Sequence, residues 1–401
     1  MFEKIQKLAE DSEENRLKIR RMRETFQPEL LNEVAGGSRA EALARGMETV
    51  QRLLTALKSF DIDPMAIEPA HGPGHWARDY VNALRLFSKL DVTPAEIFIG
   101  LVAGSLHDIG CALVYRYDEA NRIVRHAEVA ALLFEFLFEL DSFGLNKAEQ
   151  FLIRYCVAAH THYLDKREVK NKDGQVIGFV EPYVDMVGDK PFYPVWTTRW
   201  VDRLDTNGPA YVGRHYVTLV KEHKDFDGKN YYDVDFASAM RPILRTKEER
   251  GQDPQTMVEH LRMYAESQNN DSPYGKHDFG VMVELRDAYK ARIRCVIEAT
   301  QIGQVFSLGW QQTFLRQWTR HLAVNNEPSK KGEEVAARLM FMFATLPEAS
   351  RNAWANAFNV CLFEYHGWSN EAIEFLNGIP VLYRKLPGVC DDLKMMLQLR
   401  E

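Results

Sequence analysis

An apolar segment that ends in two reactive side chains constrains the fold of this chain more than any other feature. Thr93 begins it as an N-cap, followed by a proline in the first turn and a capping glutamate at Glu96, a combination typical of a helix start. The following residues are apolar nearly all round, so we expect this helix to be central and buried. It delivers His107 and Asp108 at its C-terminal end, where Gly110 can end it. Because neither side chain gains from apolar surroundings, something must compensate them, and a bound cation would do so.

Nearly every other long segment carries helical rather than alternating periodicity. Residues 1–25 indicate one charged helix. Ser38 with Glu41 and Asn146 with Glu149 are capping boxes, and each begins a further predicted helix. The second of these helices leads to His160.

Two segments lie between or beyond these helices. The mostly apolar stretch from Val129 to Leu140 predicts a helix with His126 in its first turn. Residues 166–182 instead contain two short strand-like runs around Asp173-Gly174, which predicts a β-hairpin. The fold class that follows is all-α with one small β-hairpin.

The length of 401 residues is too great for one compact helical core. A loop with three prolines follows residue 60 and is a plausible boundary. We therefore predict an N-terminal helical extension over residues 1–60, a core over 61–225 and a C-terminal helical region over 226–401.

The composition restricts the partners. A net charge of −7 leaves no basic surplus for nucleic acid. The five cysteines are odd in number and contain no C-x-x-C pair, which favours reduced thiols in a cytoplasmic protein. The N-terminus has no apolar signal core, and the most apolar stretches are too short to cross a bilayer. We expect a soluble, cytoplasmic protein for which neither a membrane nor nucleic acid is a partner.

Five groups of metal-ligand type lie in or at the edge of predicted helices: His75, the pair His107-Asp108, His126, His160 and Asp202. Imidazole and carboxylate together bind divalent ions of the Fe, Mn, Ni, Co or Zn kind. An aspartate can bridge two such ions with its two oxygens, and adjacent positions on a helix point about 100° apart. A water between two ions would become a hydroxide nucleophile near neutral pH.

Several of these stretches resemble the HD superfamily of metal-dependent phosphohydrolases. Residues 75–78 (HWAR) are similar to its leading H-x-x-R helix, 106–110 to its L-H-D-I-G motif, and 202–205 to its closing D-R-L-D. Residues 125–131 and 157–160 resemble the two extra histidine segments of its dinuclear branch. That branch includes HD-GYP-type cyclic-dinucleotide phosphodiesterases and HD-type di-iron oxygenases such as myo-inositol oxygenase. The resemblance covers about residues 70–216.

The resemblance implies a helical HD metal-binding core and two divalent ions, with Fe, Mn, Ni, Co, Mg and Zn not distinguishable. The first ion would be bound by His75, His107, Asp108 and Asp202. Asp108 would bridge to the second, whose site His126 and His160 would complete. Cyclic-dinucleotide members often follow H-D-I-G with a lysine, where this chain has Cys111, and their G-Y-P motif is not found here.

The leading hypothesis is a metal-dependent phosphohydrolase or phosphodiesterase that acts through a metal-bridging hydroxide. Its partner would be a small phosphorylated substrate such as a nucleotide. The sequence leaves open whether the chain forms a homo-oligomer. One alternative is a mixed-valent di-iron oxygenase, which would use the same ligands. A further alternative is a non-catalytic HD protein that senses nucleotides.

For five other side chains the sequence leaves two alternative roles open. Arg78 meets a phosphate oxygen or holds Asp108 in orientation. Asp205 is a general base or a structural anchor. His162 and Lys166 contact the substrate or lie on the surface. His71 is assigned to a turn, with a substrate or metal contact as the alternative.

Overall fold

Helices dominate the computed structural model, which describes residues 2–59, 71, 73–111, 113–114, 122–161, 167–171, 173–207 and 280–290. The α-helices up to residue 207 are α1 (Phe2–Ala9), α2 (Glu13–Glu24), α3 (Arg39–Ser59), α4 (Pro73–Lys89), α5 (Pro94–Leu106), α6 (Arg122–Leu140), α7 (Lys147–Ala159) and α8 (Tyr193–Asn207). Two 3-10 helices cover Pro28–Glu33 and His107–Gly110, and we call the second the HDIG turn. The short strands are β1 (Arg167–Lys170), β2 (Val176–Val180), β3 (Met186–Val187) and β4 (Lys190–Pro191). The prediction of a mostly helical fold with a small hairpin is confirmed.

The chain divides into two compact units. Described residues up to Arg203 belong to the first unit, and those from Leu204 onwards belong to the second. In the second unit, residues 281–290 are helical and bury Met282 and Tyr289. The predicted boundary near residue 225 and most of the predicted C-terminal region lie outside the described residues.

Helix α5 occupies the core of the first unit. Its capping box forms as predicted, because Thr93 Oγ1 accepts from the amide of Glu96 while Glu96 Oε2 accepts from the amide of Thr93. Every residue from Ile97 to Leu106 is buried, and the helix packs against α3, α4 and α7. A Cβ at Gly104 would stand 3.3 Å from Val201 of α8, so a small residue lets α8 approach as well. The predicted central position of this helix is confirmed.

The other two capping boxes also form. Ser38 pairs with Glu41 at the start of α3, and Asn146 pairs with Glu149 at the start of α7. Glu149 has a second role, because both its oxygens accept from the guanidinium of Arg45 at 2.7 Å. This ion pair joins α3 to α7 beside the core.

The N-terminal region contains two helices rather than the single one predicted. Ser12 caps α2 by accepting from the amide of Asn15 at 3.2 Å. The side-chain amide of Asn15 donates to the carbonyls of Lys7 and Glu10 at 2.7 and 2.9 Å, which satisfies the end of α1. Local side-chain hydrogen bonds therefore break the charged helix between α1 and α2.

The HDIG turn ends α5 differently from the prediction. The α-helix stops at Leu106, and Gly110 does not have the positive φ of a helix-ending glycine. A Cβ at Gly110 would instead collide with the carbonyl oxygen of His126 and stand 2.5 Å from the amide nitrogen of Ala130. Because α6 begins at Arg122, earlier than predicted, His126 lies in its second turn. Glycine is needed so that the turn can lie against α6.

We expect Gly110→Ala to lower the free energy of unfolding by about 1–3 kcal/mol, because both colliding groups belong to the backbone of α6 and cannot rotate away. Urea unfolding followed by circular dichroism measures this effect. Gly36→Ala is the matched control, since no atom lies within 4 Å of a Cβ there. Equal loss of stability in the two variants would contradict a special requirement at Gly110.

The predicted hairpin is present as β1 and β2, paired antiparallel. Its turn is closed by the amide of Asn171, which donates to the carbonyl of Gln175, and Gly174 takes a positive φ of 77°. A second antiparallel pair, β3 with β4, was not predicted, because two-residue strands show no alternation. Among the described residues, no helix is long and apolar enough to cross a membrane.

Candidate metal centre

Five elements bring the six predicted metal ligands, all of which belong to the first unit, to one place. The HDIG turn supplies His107 and Asp108, and the other four elements each supply one ligand. These are His75 from α4, His126 from α6, His160 at the C-cap of α7 and Asp202 from α8. The carboxylate of Asp108 lies at the centre of this cluster.

One side of the cluster faces Asp108 Oδ2. The Nε2 atoms of His75 and His107 lie 3.1 and 3.4 Å from this oxygen, and Asp202 Oδ1 lies 3.6 Å from His75 Nε2. The four residues offer donor atoms that are all within 4.8 Å of one another. His75, His107 and Asp108 are buried, whereas the Asp202 side chain is 32% exposed. This largely buried group, which we call the first pocket, can hold a metal ion.

The other side of the cluster faces Asp108 Oδ1. His126 Nε2 and His160 Nε2 lie 3.3 and 3.5 Å from this oxygen. The two nitrogens are only 3.0 Å from each other. We call this group the second pocket.

Backbone carbonyls fix the orientation of two of these histidines. His107 Nδ1 donates to the carbonyl of Gly104 at 2.8 Å, and His160 Nδ1 donates to the carbonyl of Val157 at 2.7 Å. Each ring therefore directs Nε2 into the cluster, the arrangement found in histidines that bind metals. Arg199 Nε adds support by donating to the carbonyl of Ala159, directly before His160.

The pKa values of the first pocket respond to its carboxylates. Burial alone would lower the pKa of His107, but the negative charge of Asp108, helped by Asp79 and Asp202, raises it to about 9. Burial would raise the pKa of Asp108, but the charges that His107 and His71 present hold it well below its usual range. Without a metal, a proton on His107 thus balances part of the buried negative charge.

In the second pocket the pKa of a histidine is lowered instead of raised. Burial, together with the nearby charge of His107, lowers the pKa of His160 to about 4. The ring is therefore neutral at pH 7, with its Nε2 lone pair directed at the cluster. A neutral imidazole is the form that binds a metal.

Three residues of the cluster were not assigned to it from sequence. Asp79 is buried one turn after His75 on α4, and its Oδ2 lies 3.0 Å from His75 Nε2. His71, assigned to a turn, brings its Nε2 to 4.0 Å from Asp108 Oδ2. Cys111 lies next to the second pocket, as described below. Only Asp79 had a visible signal, the i, i+4 spacing from His75.

Four further predicted site residues remain, two within the described residues and two outside them. Arg78 is buried on α4, and Asp205 is buried in the last turn of α8, in the second unit. Their proposed roles stay predictions. His162 and Lys166 lie outside the described residues.

Comparison with known proteins adds no relative. No family model, curated protein or solved structure matches this chain. The resemblance to the HD superfamily therefore rests on the motifs described above.

Proposed function

We propose that this chain is a metal-dependent phosphohydrolase of the HD superfamily, and that it binds two divalent ions and hydrolyses a small phosphate ester such as a nucleotide. The observation that carries this proposal is that the two carboxylate oxygens of Asp108 face different pairs of histidines. Its Oδ2 faces His75 and His107, while its Oδ1 faces His126 and His160. With histidines beside both oxygens, this carboxylate would bridge two ions, one in each pocket.

The distances between the donor atoms support this assignment. Two donors bound to one ion at about 2.1 Å stand roughly 3.0 Å apart at a right angle and roughly 3.4 Å apart at a tetrahedral angle. Six pairs of donor atoms in the cluster are separated by 3.0 to 3.6 Å, and all four donors of the first pocket lie within 4.8 Å of one another. His126 and His160 are the closest pair, and an ion between them and Asp108 would use both nitrogens at once.

The charge of the cluster also favours cations. Three carboxylates, those of Asp79, Asp108 and Asp202, have an oxygen within 3.6 Å of His75 Nε2. Burying carboxylates away from water is costly unless they are paired or bind a metal. Two divalent ions would balance these charges and leave the site attractive to an anionic phosphate.

Bound divalent ions supply two effects, a lowered pKa for a water at the site and neutralisation of charge on the phosphoryl oxygens. The protein supplies the geometry. Asp108 holds the two pockets beside each other, and His107 and His160 are kept in orientation by backbone carbonyls. The partly exposed Asp202 marks a side from which a substrate can approach. Arg78 is expected to bind the phosphate or to orient Asp108, and Asp205 to act as a general base or an anchor.

The test combines metal analysis with a substrate screen. We expect protein purified without added metal, and then loaded with Mn²⁺, to hydrolyse members of a panel of phosphomonoesters, phosphodiesters and nucleotides without oxygen. Chelation should stop turnover and restored metal should recover it. His126→Ala should lose turnover, whereas Glu139→Gln, an exposed position on the same helix, should keep it.

Two outcomes would overturn the proposal. Iron with a mixed-valent EPR signal and substrate-dependent oxygen uptake would assign the cluster to an oxygenase instead. Bound metal and bound nucleotide without turnover across the panel would identify a sensor.

A further inference from the structure

Cys111 lies where the second pocket meets the end of the HDIG turn. The residue is 3% exposed. Its backbone amide donates to the carbonyl of Asp108, which holds the residue against the turn. Donor atoms of Asp108, Cys111 and His126 all lie within 4.8 Å of one another. A sulfur atom is thus close to two ligands of the proposed second ion.

We propose that Cys111 binds the metal ion of the second pocket through its sulfur, together with Asp108, His126 and His160. This inference rests on the proposed function, because it requires that an ion occupies this pocket. On binding, the thiol loses its proton to solvent and a metal–sulfur bond takes the place of the S–H bond. No change of oxidation state is involved.

A mixed sulfur and nitrogen site requires its donor atoms to lie close together. Metal–sulfur bonds of about 2.3 Å and metal–nitrogen bonds of about 2.1 Å place such donors about 3.6 Å apart at a tetrahedral angle and at most about 4.4 Å apart. Donor atoms of Cys111, Asp108 and His126 lie within 4.8 Å of one another. Binding of an ion would draw these donors together to the shorter separations.

Cys156, the other described cysteine, lies apart from any described group of potential metal ligands. Cys156 is fully buried on α7, and burial raises its pKa. Among the described residues, it belongs to no group of potential metal ligands, whereas Cys111 does. The two thiols are therefore a matched pair for experiment.

A sulfur ligand would make the two pockets differ in metal preference. Thiolate favours Zn²⁺, Co²⁺ and Fe²⁺ over Mg²⁺ and Mn²⁺, which prefer oxygen ligands. The first pocket offers only imidazole and carboxylate donors. We therefore expect the second pocket to discriminate more strongly between these two classes of ion.

The experiment uses Co²⁺ as a probe, because a Co²⁺–thiolate bond gives a charge-transfer band in the near ultraviolet. The full-length metal-free protein is titrated with Co²⁺ while absorbance and bound metal are measured. We expect two ions to bind and the band to accompany one of them. Cys111→Ala should lose the band and bind that ion at least about tenfold more weakly. Cys156→Ala should behave as the wild type does.

The outcomes separate this inference from the proposed function. Two bound Co²⁺ ions without the band would overturn the sulfur ligand and leave the two-metal proposal intact. Fewer than two bound ions would overturn both. A band that persists in Cys111→Ala would also overturn the inference. If the alanine variant does not fold, Cys111→Ser keeps the side-chain size and must still lack the band.

Discussion

Asp108→Ala is expected to lose both metal ions and to reduce phosphate-ester hydrolysis by at least about 10³-fold. The carboxylate has one oxygen in each pocket, so its removal takes a ligand from both ions at once. The loss of activity follows because bound metals contribute several kcal/mol of charge stabilisation. Elemental analysis of the purified variant, beside the wild type, measures the metal content directly.

His160→Ala provides the contrast. His160 lies in the second pocket, on the Oδ1 side of Asp108, so its removal should mainly empty that pocket and leave about one ion bound. Asp108→Asn keeps the size of the side chain and shows whether loss of charge alone is sufficient. Circular dichroism checks that each variant is folded. Metal content in Asp108→Ala equal to that of the wild type would contradict the bridging role.

Much of the helical frame could be predicted because helix starts are local. The capping boxes at Thr93 and Asn146 depend on side chains three residues apart, and both form as expected. The break between α1 and α2 is equally local, but its signal, Ser12 with Asn15, lies within a run of charged residues. The pair β3 and β4 has strands too short to show any periodicity.

That the six ligands lie together was predicted only from the order of the motifs along the sequence. Sequence separations do not set distances between helices, which depend on how closely the backbones pack. Gly104 admits α8 beside α5, and Gly110 brings the HDIG turn against α6. These contacts bring Asp202 and His126 to the cluster. Cys111 is near the second pocket for the same reason, and nothing in the sequence marked it as a ligand.

The affinity of the first pocket for Mn²⁺ is expected to rise about a hundredfold from pH 6 to pH 8. In the metal-free protein the charge of Asp108, helped by Asp79 and Asp202, outweighs burial and raises the pKa of His107 to about 9. Only the deprotonated Nε2 can bind the ion. Below pH 9, each rise of one pH unit therefore weakens the competition from the proton about tenfold. With the ordinary pKa of 6.5 for this group, the same interval would change the affinity only about fourfold.

The measurement is a Mn²⁺ titration at pH 6, 7 and 8, in which EPR reports the free ion. It is best performed in Cys111→Ala, where no thiol proton contributes to the pH dependence. Asp79→Asn removes one of the charges that raise the pKa of His107, so its affinity should rise less steeply with pH. A change of about fourfold or less in the Cys111→Ala protein would show that no proton on His107 competes with the metal, and that the carboxylates do not hold this ring charged.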